Sequence, residues 1–129
     1  MKIKKSKKFK QTENEVKKAI KEYLEAKGFR VFRINNGGVY RGMGKDHKPR
    51  FSFAGDGGVP DLFAFRLSVH SLSMWIETKA TGKLPTPDQS RFLYNINLIG
   101  DRHWGIWADS LDMFISKIAG DKELRDLFE

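Results

Sequence analysis

One stretch, Gly57 to Lys79 (GGVPDLFAFRLSVHSLSMWIETK), restricts the fold of this chain more than any other. Asp61 to Phe65 follows a Gly-Gly-Val-Pro lead-in, and Ser73 to Lys79 follows a polar, serine-containing turn. Both runs carry the aromatic and branched residues that suit a pleated, half-buried surface. Antiparallel pairing about a turn centred near Val69 sets Asp61 opposite Glu77. Opposed residues project to one face and alternation adds Lys79 to it, so two carboxylates and one ammonium converge at one end of the hairpin.

Two convergent carboxylates repel unless a cation sits between them, and hard oxygen donors suit Mg²⁺ or Mn²⁺ better than zinc. A neighbouring lysine can orient water and stabilise charge developing on a phosphate, which completes the set needed for metal-assisted phosphodiester hydrolysis. Each piece alone is ordinary. Glu-x-Lys pairs occur on solvated strand edges at little gain, and Pro-Asp commonly starts turns. The signal is their joint placement at matched strand ends.

The chain is strongly basic, with a formal charge of +8 over 129 residues, which favours a polyanionic partner. No helix pairs a basic face with a broad exposed apolar one, so nucleic acid fits better than a membrane surface. The length suits one domain with one modest core. There is no run near the ~20 apolar residues that a membrane span needs, nor an apolar segment behind the N-terminal charges to make a signal peptide. With no cysteine, disulfides, thiolate zinc sites and cysteine nucleophiles are excluded, which fits a reducing cytoplasm.

Met1 to Lys10 holds six lysines, and residues 1–11 read as a flexible basic arm that serves either phosphate contact or solubility. A single domain, 12–129, follows. Thr12 and Glu15 make a capping box before Val16, Ala19, Ile20, Tyr23 and Leu24, so a helix is predicted from Glu13 to about Lys27, stopped by Gly28. Phe29 to Asn35 alternates and reads as a strand with one face buried. A glycine-rich loop at 36–58 interleaves Arg41, Lys45, Lys48 and Arg50 with Tyr40, Phe51 and Phe53. It reads as a DNA-contacting flap rather than a passive loop, with a short hairpin from Val39 to Arg41 and Phe51 to Phe53. Its glycines lack phosphate-loop spacing, which argues against an NTPase, and Asp56 is either an outer ligand or a turn residue.

Beyond the hairpin, Lys83 adds a basic group to a polar connection. Thr86 and Pro87 then open a helix to about Leu98 with Phe92, Leu93, Ile96 and Ile99 inward. Arg102 to Ala108 is a final strand with Trp104 and Trp107 on opposite faces, and Ser110 caps a helix from Leu111 to Ala119. A short amphipathic tail, 121–129, packs on the core or on a second subunit. His47, His70 and His103 match no metal spacing.

Gly58-Val59-Pro60-Asp61-Leu62, Trp75-Ile76-Glu77-Thr78-Lys79-Ala80, Gly82-Lys83-Leu84 and Thr86-Pro87-Asp88-Gln89 together resemble the virus-type replication-repair nuclease (VRR-NUC) domain of the PD-(D/E)XK nuclease superfamily, over Glu13 to Trp107. The resemblance implies an α/β restriction-endonuclease-like αβββαβ core with a mixed four-stranded sheet flanked by helices. It makes Asp61 and Glu77 metal ligands with the Thr78 carbonyl a third, Lys79 the catalytic lysine, and Gln89 a helper at a helix start. It also places an acid on the first helix, either Glu13 or Glu15. At about 100° per residue, Glu13 lies about 50° from the centre of the apolar face and Glu15 about 110°, which favours Glu13. Glu13 also suits the helix dipole without any ligand.

The function so implied is a Mg²⁺- or Mn²⁺-dependent structure-selective DNA endonuclease. Four-way junctions are its leading substrate, a homodimer its expected assembly, and repair or recombination in a bacterial or phage-infected cell its expected setting. A flap, nicking or restriction-like nuclease is the alternative within the superfamily. A non-catalytic nucleic-acid-binding module is the alternative outside it.

Overall fold

The structure, a computed structural model, describes residues 9–34, 39–43, 45–47, 49–52, 58–67 and 71–128, with the backbone alone for 39–43 and 49–52. Thr12 caps α1 (Glu13–Ala26) as its sequence requires: its hydroxyl accepts the Glu15 N–H while the Glu15 carboxylate accepts the Thr12 N–H. Val16, Ile20 and Leu24 are buried at the helical spacing that defines one face. β1 (Arg30–Arg33) is shorter than the alternation suggests, and Phe32 on it is 44% exposed. It pairs antiparallel with β4 (Leu62–Arg66) at four positions, and the Ile34 N–H continues the contact to the Asp61 carbonyl at 2.7 Å. Between them, β2 (Val39–Met43) and β3 (Pro49–Ser52) form the expected separate antiparallel hairpin.

β4 pairs antiparallel with β5 (Leu72–Thr78), and β5 pairs parallel with β6 (His103–Ala108), giving a mixed sheet in the order β1-β4-β5-β6. This is the four-stranded α/β arrangement expected above. The parallel pair needs a crossover, supplied by α2 (Pro87–Ile99). The helix approaches β6 closely because Gly105 has no side chain, a Cβ there falling 2.8 Å from the Leu93 carbonyl oxygen. Its inward stripe is narrower than predicted: Leu93 is buried, whereas Ile99 is 64% exposed.

α3 (Leu111–Gly120), capped by Ser110, packs on β6 and against α1. The tail is a further helix, α4 (Lys122–Phe128), whose Leu124 N–H is accepted by Asp121. It settles on this chain's own core: Leu124 is 1% exposed and the Phe128 ring stacks on Phe29 at 5.2 Å. The core lies between α1, α3 and α4 and the sheet face built from Leu62, Ala64, Met74, Ile76 and Trp104. No described helix is long and apolar enough to cross a membrane.

Candidate metal centre

The hairpin register is the expected one. Leu62 pairs with Ile76, so the next position sets Asp61 against Glu77. Asp61 is fixed by two bonds from one residue of the facing strand, since the Thr78 N–H and hydroxyl donate to its Oδ2 at 3.0 and 2.9 Å. Thr78, 0% exposed, thus holds a site carboxylate from the core side.

Glu77 is 1% exposed. Its Oε1 accepts from Gln89 Nε2 at 3.1 Å and lies 3.5 Å from Lys79 Nζ. The orientation of the Gln89 carboxamide follows from local chemistry. Its oxygen closes the capping box by accepting the Thr86 N–H at 2.8 Å, which turns its amine end toward Glu77. The connection from Lys79 to Thr86 is tight enough to set this first turn over the end of β5. At Gly58, φ is +103° and a Cβ would fall 2.7 Å from the Asp88 backbone, so glycine lets the lead-in to β4 pass against the same turn.

α1 supplies the third acid. Oxygens of Glu13, Asp61 and Glu77 all lie within 4.8 Å of one another. Glu15 is occupied in the capping box. The start of α1 is held in place by reciprocal bonds across the chain: Gln11 N–H donates to Thr81 Oγ1, and Thr81 N–H to the Gln11 carbonyl. Gln11, assigned above to the arm, is therefore part of the folded domain, while residues 1–8 lie outside the described residues.

Burial and the Asp61 charge push the Glu77 carboxyl up from 4.5 to about 8, against the pull of Lys79. Its Oε2 is buried with no hydrogen bond among the described residues. A buried oxygen without a partner is costly, and a cation coordinated there removes that cost. With three carboxylates converging and no thiolate or imidazole among them, the donor set fits a hard divalent cation. The residues fit the metal that the resemblance implies.

Lys17 was not foreseen. Its Nζ lies 3.8 Å from Asp61 Oδ1, with the two side chains 18% and 16% exposed. The available signal was its position four residues after Glu13, one turn along the same helix face. Thr81 and Gln11 left no sequence signal, because their tie spans seventy residues. Of the DNA-contact set, Lys45 and Lys83 are exposed. Arg41 and Arg50 lie where only the backbone is described, and Lys48 and Asp56 lie outside the described residues.

One solved structure, titled "VRR_NUC domain", superposes with a TM-score of 0.54 at 21% identity, over 85% of this chain and 97% of its own. The chain has the VRR_NUC fold. No protein-family model matches it, and no curated protein does. Within this VRR_NUC fold, Glu13 of α1, Asp61 just before β4, Glu77 of β5 and the first turn of α2 meet at one end of the sheet.

Proposed function

We propose that the chain is a divalent-metal-dependent nuclease acting on DNA, with Asp61, Glu77 and Glu13 holding Mg²⁺ or Mn²⁺ and Lys79 as its catalytic lysine. One observation carries this reading: the carboxylates of Glu13, Asp61 and Glu77 converge within 4.8 Å, and among the described residues one of them keeps a buried oxygen without a hydrogen bond. When bound, such a metal supplies Lewis acidity at a phosphoryl oxygen and lowers the pKa of water.

The chain's own residues do the rest. Thr78 pins Asp61 and Gln89 pins one oxygen of Glu77, so neither carboxylate must reorganise. Lys79 and Lys17 set positive charge on either side of the acids, where a phosphate gains negative charge as it is attacked. The Thr78 carbonyl is a further ligand in this proposal, and Arg41, Lys45, Lys48, Arg50 and Lys83 contact the DNA backbone. Branched DNA, four-way junctions first, is the proposed substrate. Two sites in a homodimer would make the paired nicks that resolve a junction. DNA repair or recombination in the cytoplasm of a bacterial or phage-infected cell is the proposed setting.

The test uses labelled four-way junction, flap and linear duplex with purified protein, with and without Mn²⁺. Cleavage is expected only with metal and fastest on the junction. Asp61→Ala and Lys79→Ala should each lower it by roughly 100-fold or more while DNA binding persists. A protein that binds every substrate and cleaves none refutes the proposal.

A further inference from the structure

On the sheet face that carries Asp61 and Glu77, α2 lies over β5 and β6, and the β1–β4 half holds a row of aromatic rings. Registered neighbours share a face, so Phe32, Phe63 and Trp75 line up across the sheet and Phe65 sits one step farther from the acids. The rings follow one another: Trp75 to Phe92 at 5.3 Å, Trp75 to Phe63 at 4.8 Å, Phe63 to Phe65 at 6.3 Å, and Phe65 stacked on Phe32 at 5.8 Å with 14° between planes. Phe32 is 44% exposed and Leu67 82%. The row opens into a cleft of about 410 Å³ bordered by Phe63, Phe65, Leu67, Ser73, Arg102 and His103. That volume lies within the range of about 300–1,000 Å³ usual for ligand clefts. Four residues at about 3.3 Å each separate Asp61 from Phe65, so the cleft lies roughly 13 Å along the sheet from the acids.

Charge decides what the surface fits. Among the described residues no acidic side chain borders the cleft and Arg102 does, and the exposed Arg30 stands in register with Phe65. The Arg66 guanidinium is turned away, bonded to the Leu127 carbonyl and set over Phe29. A second copy docked here by a two-fold axis would bring this cationic patch against itself. A polyanion meets opposite charge, and ring faces stack on bases whatever their sequence. Bases inside a duplex are already stacked, so only an unpaired strand can use them.

We infer that this aromatic row and its cleft bind an unpaired nucleic-acid strand, with bases on Phe32 and Phe65 and phosphates at Arg30 and Arg102, and lead it toward the carboxylates. The inference rests on the nuclease reading and adds to its branched substrates those that carry a single-stranded arm, such as a flap. It is tested in EDTA, by fluorescence anisotropy of the full chain with a labelled thymidine oligomer and an abasic oligomer of equal length and charge. The wild type should bind the thymidine strand roughly five- to a hundredfold more tightly, the range that stacking of one base provides. Phe32→Ala should shrink that gap, and Arg102→Ala should weaken both strands alike. Equal wild-type affinity for the two oligomers overturns the inference without relying on any variant. So does a Phe32→Ala protein that keeps the gap but changes from dimer to monomer by light scattering, which would give the face to a second copy. Cleavage with Mn²⁺ is scored separately. A wild type that prefers the thymidine strand yet cleaves nothing supports this surface and removes the nuclease reading, whereas one that cleaves without base preference does the reverse.

Discussion

Glu77 is where burial and charge conflict most strongly. Its carboxyl, raised to about 8 by burial and by Asp61, keeps a proton in the folded chain that the unfolded chain releases near 4.5. The resulting stability is full below that lower value and is lost as pH climbs through about 8. Thermal melts in EDTA should therefore fall between pH 5 and 8 and level off above, and Glu77→Gln should flatten that slope. Metal must displace the same proton. Mn²⁺ affinity should thus rise about tenfold per pH unit up to about pH 8 and then plateau, which calorimetry in buffers of different ionisation enthalpy reads as proton release. Gln89 joins this site to a helix cap. Gln89→Ala should cost about 1 kcal/mol of stability through the cap and also weaken Mn²⁺ binding, whereas a residue serving only the helix would change the first and not the second.

Among the elements, β6 is an edge strand whose outer groups are covered by side chains. The Asn97 carboxamide takes both the Gly105 N–H at 2.9 Å and its carbonyl at 3.0 Å, Lys117 Nζ donates to the Trp107 carbonyl at 2.7 Å, and the His103 N–H reaches the Gly100 carbonyl. An edge so occupied resists pairing with another strand. Asn97→Ala frees both Gly105 groups and should cost about 1 kcal/mol in chemical denaturation, with association through the freed edge visible by light scattering. Elements whose signals are local were legible in the sequence: the Thr12–Glu15 capping box, the Thr86 cap, the Asp61–Glu77 register and the glycine stop after α1. Those set by distant partners were not. Lys17 matters only because α1 brings it to Asp61 at the start of β4, and Gln11 is anchored by Thr81. The α4 helix was read as a tail because seven residues give too little periodicity to outweigh a loop.

At the scale of the whole molecule, a chain of net charge +8 gathers three acids at one end of its sheet. On the proposed reading, the surrounding positive charge would draw DNA in, and the acids would repel its phosphates until a cation joins them. DNA binding should therefore weaken steeply with salt, with a log–log slope of about −0.9 per phosphate neutralised, and should strengthen when Mn²⁺ is added to wild type but not to Glu77→Gln. If junctions are cut by paired nicks, light scattering should find a dimer under the assay conditions; paired cutting by a protein that stays monomeric would contradict the assembly. The most direct measurement is Mn²⁺ binding itself, followed by electron paramagnetic resonance at pH 8 in wild type, Asp61→Ala and Glu77→Gln. Saturable binding that weakens at least about tenfold, about 1.4 kcal/mol, in each variant is the expected result; binding that never saturates, or that ignores both substitutions, would mean that the three carboxylates do not form a metal site.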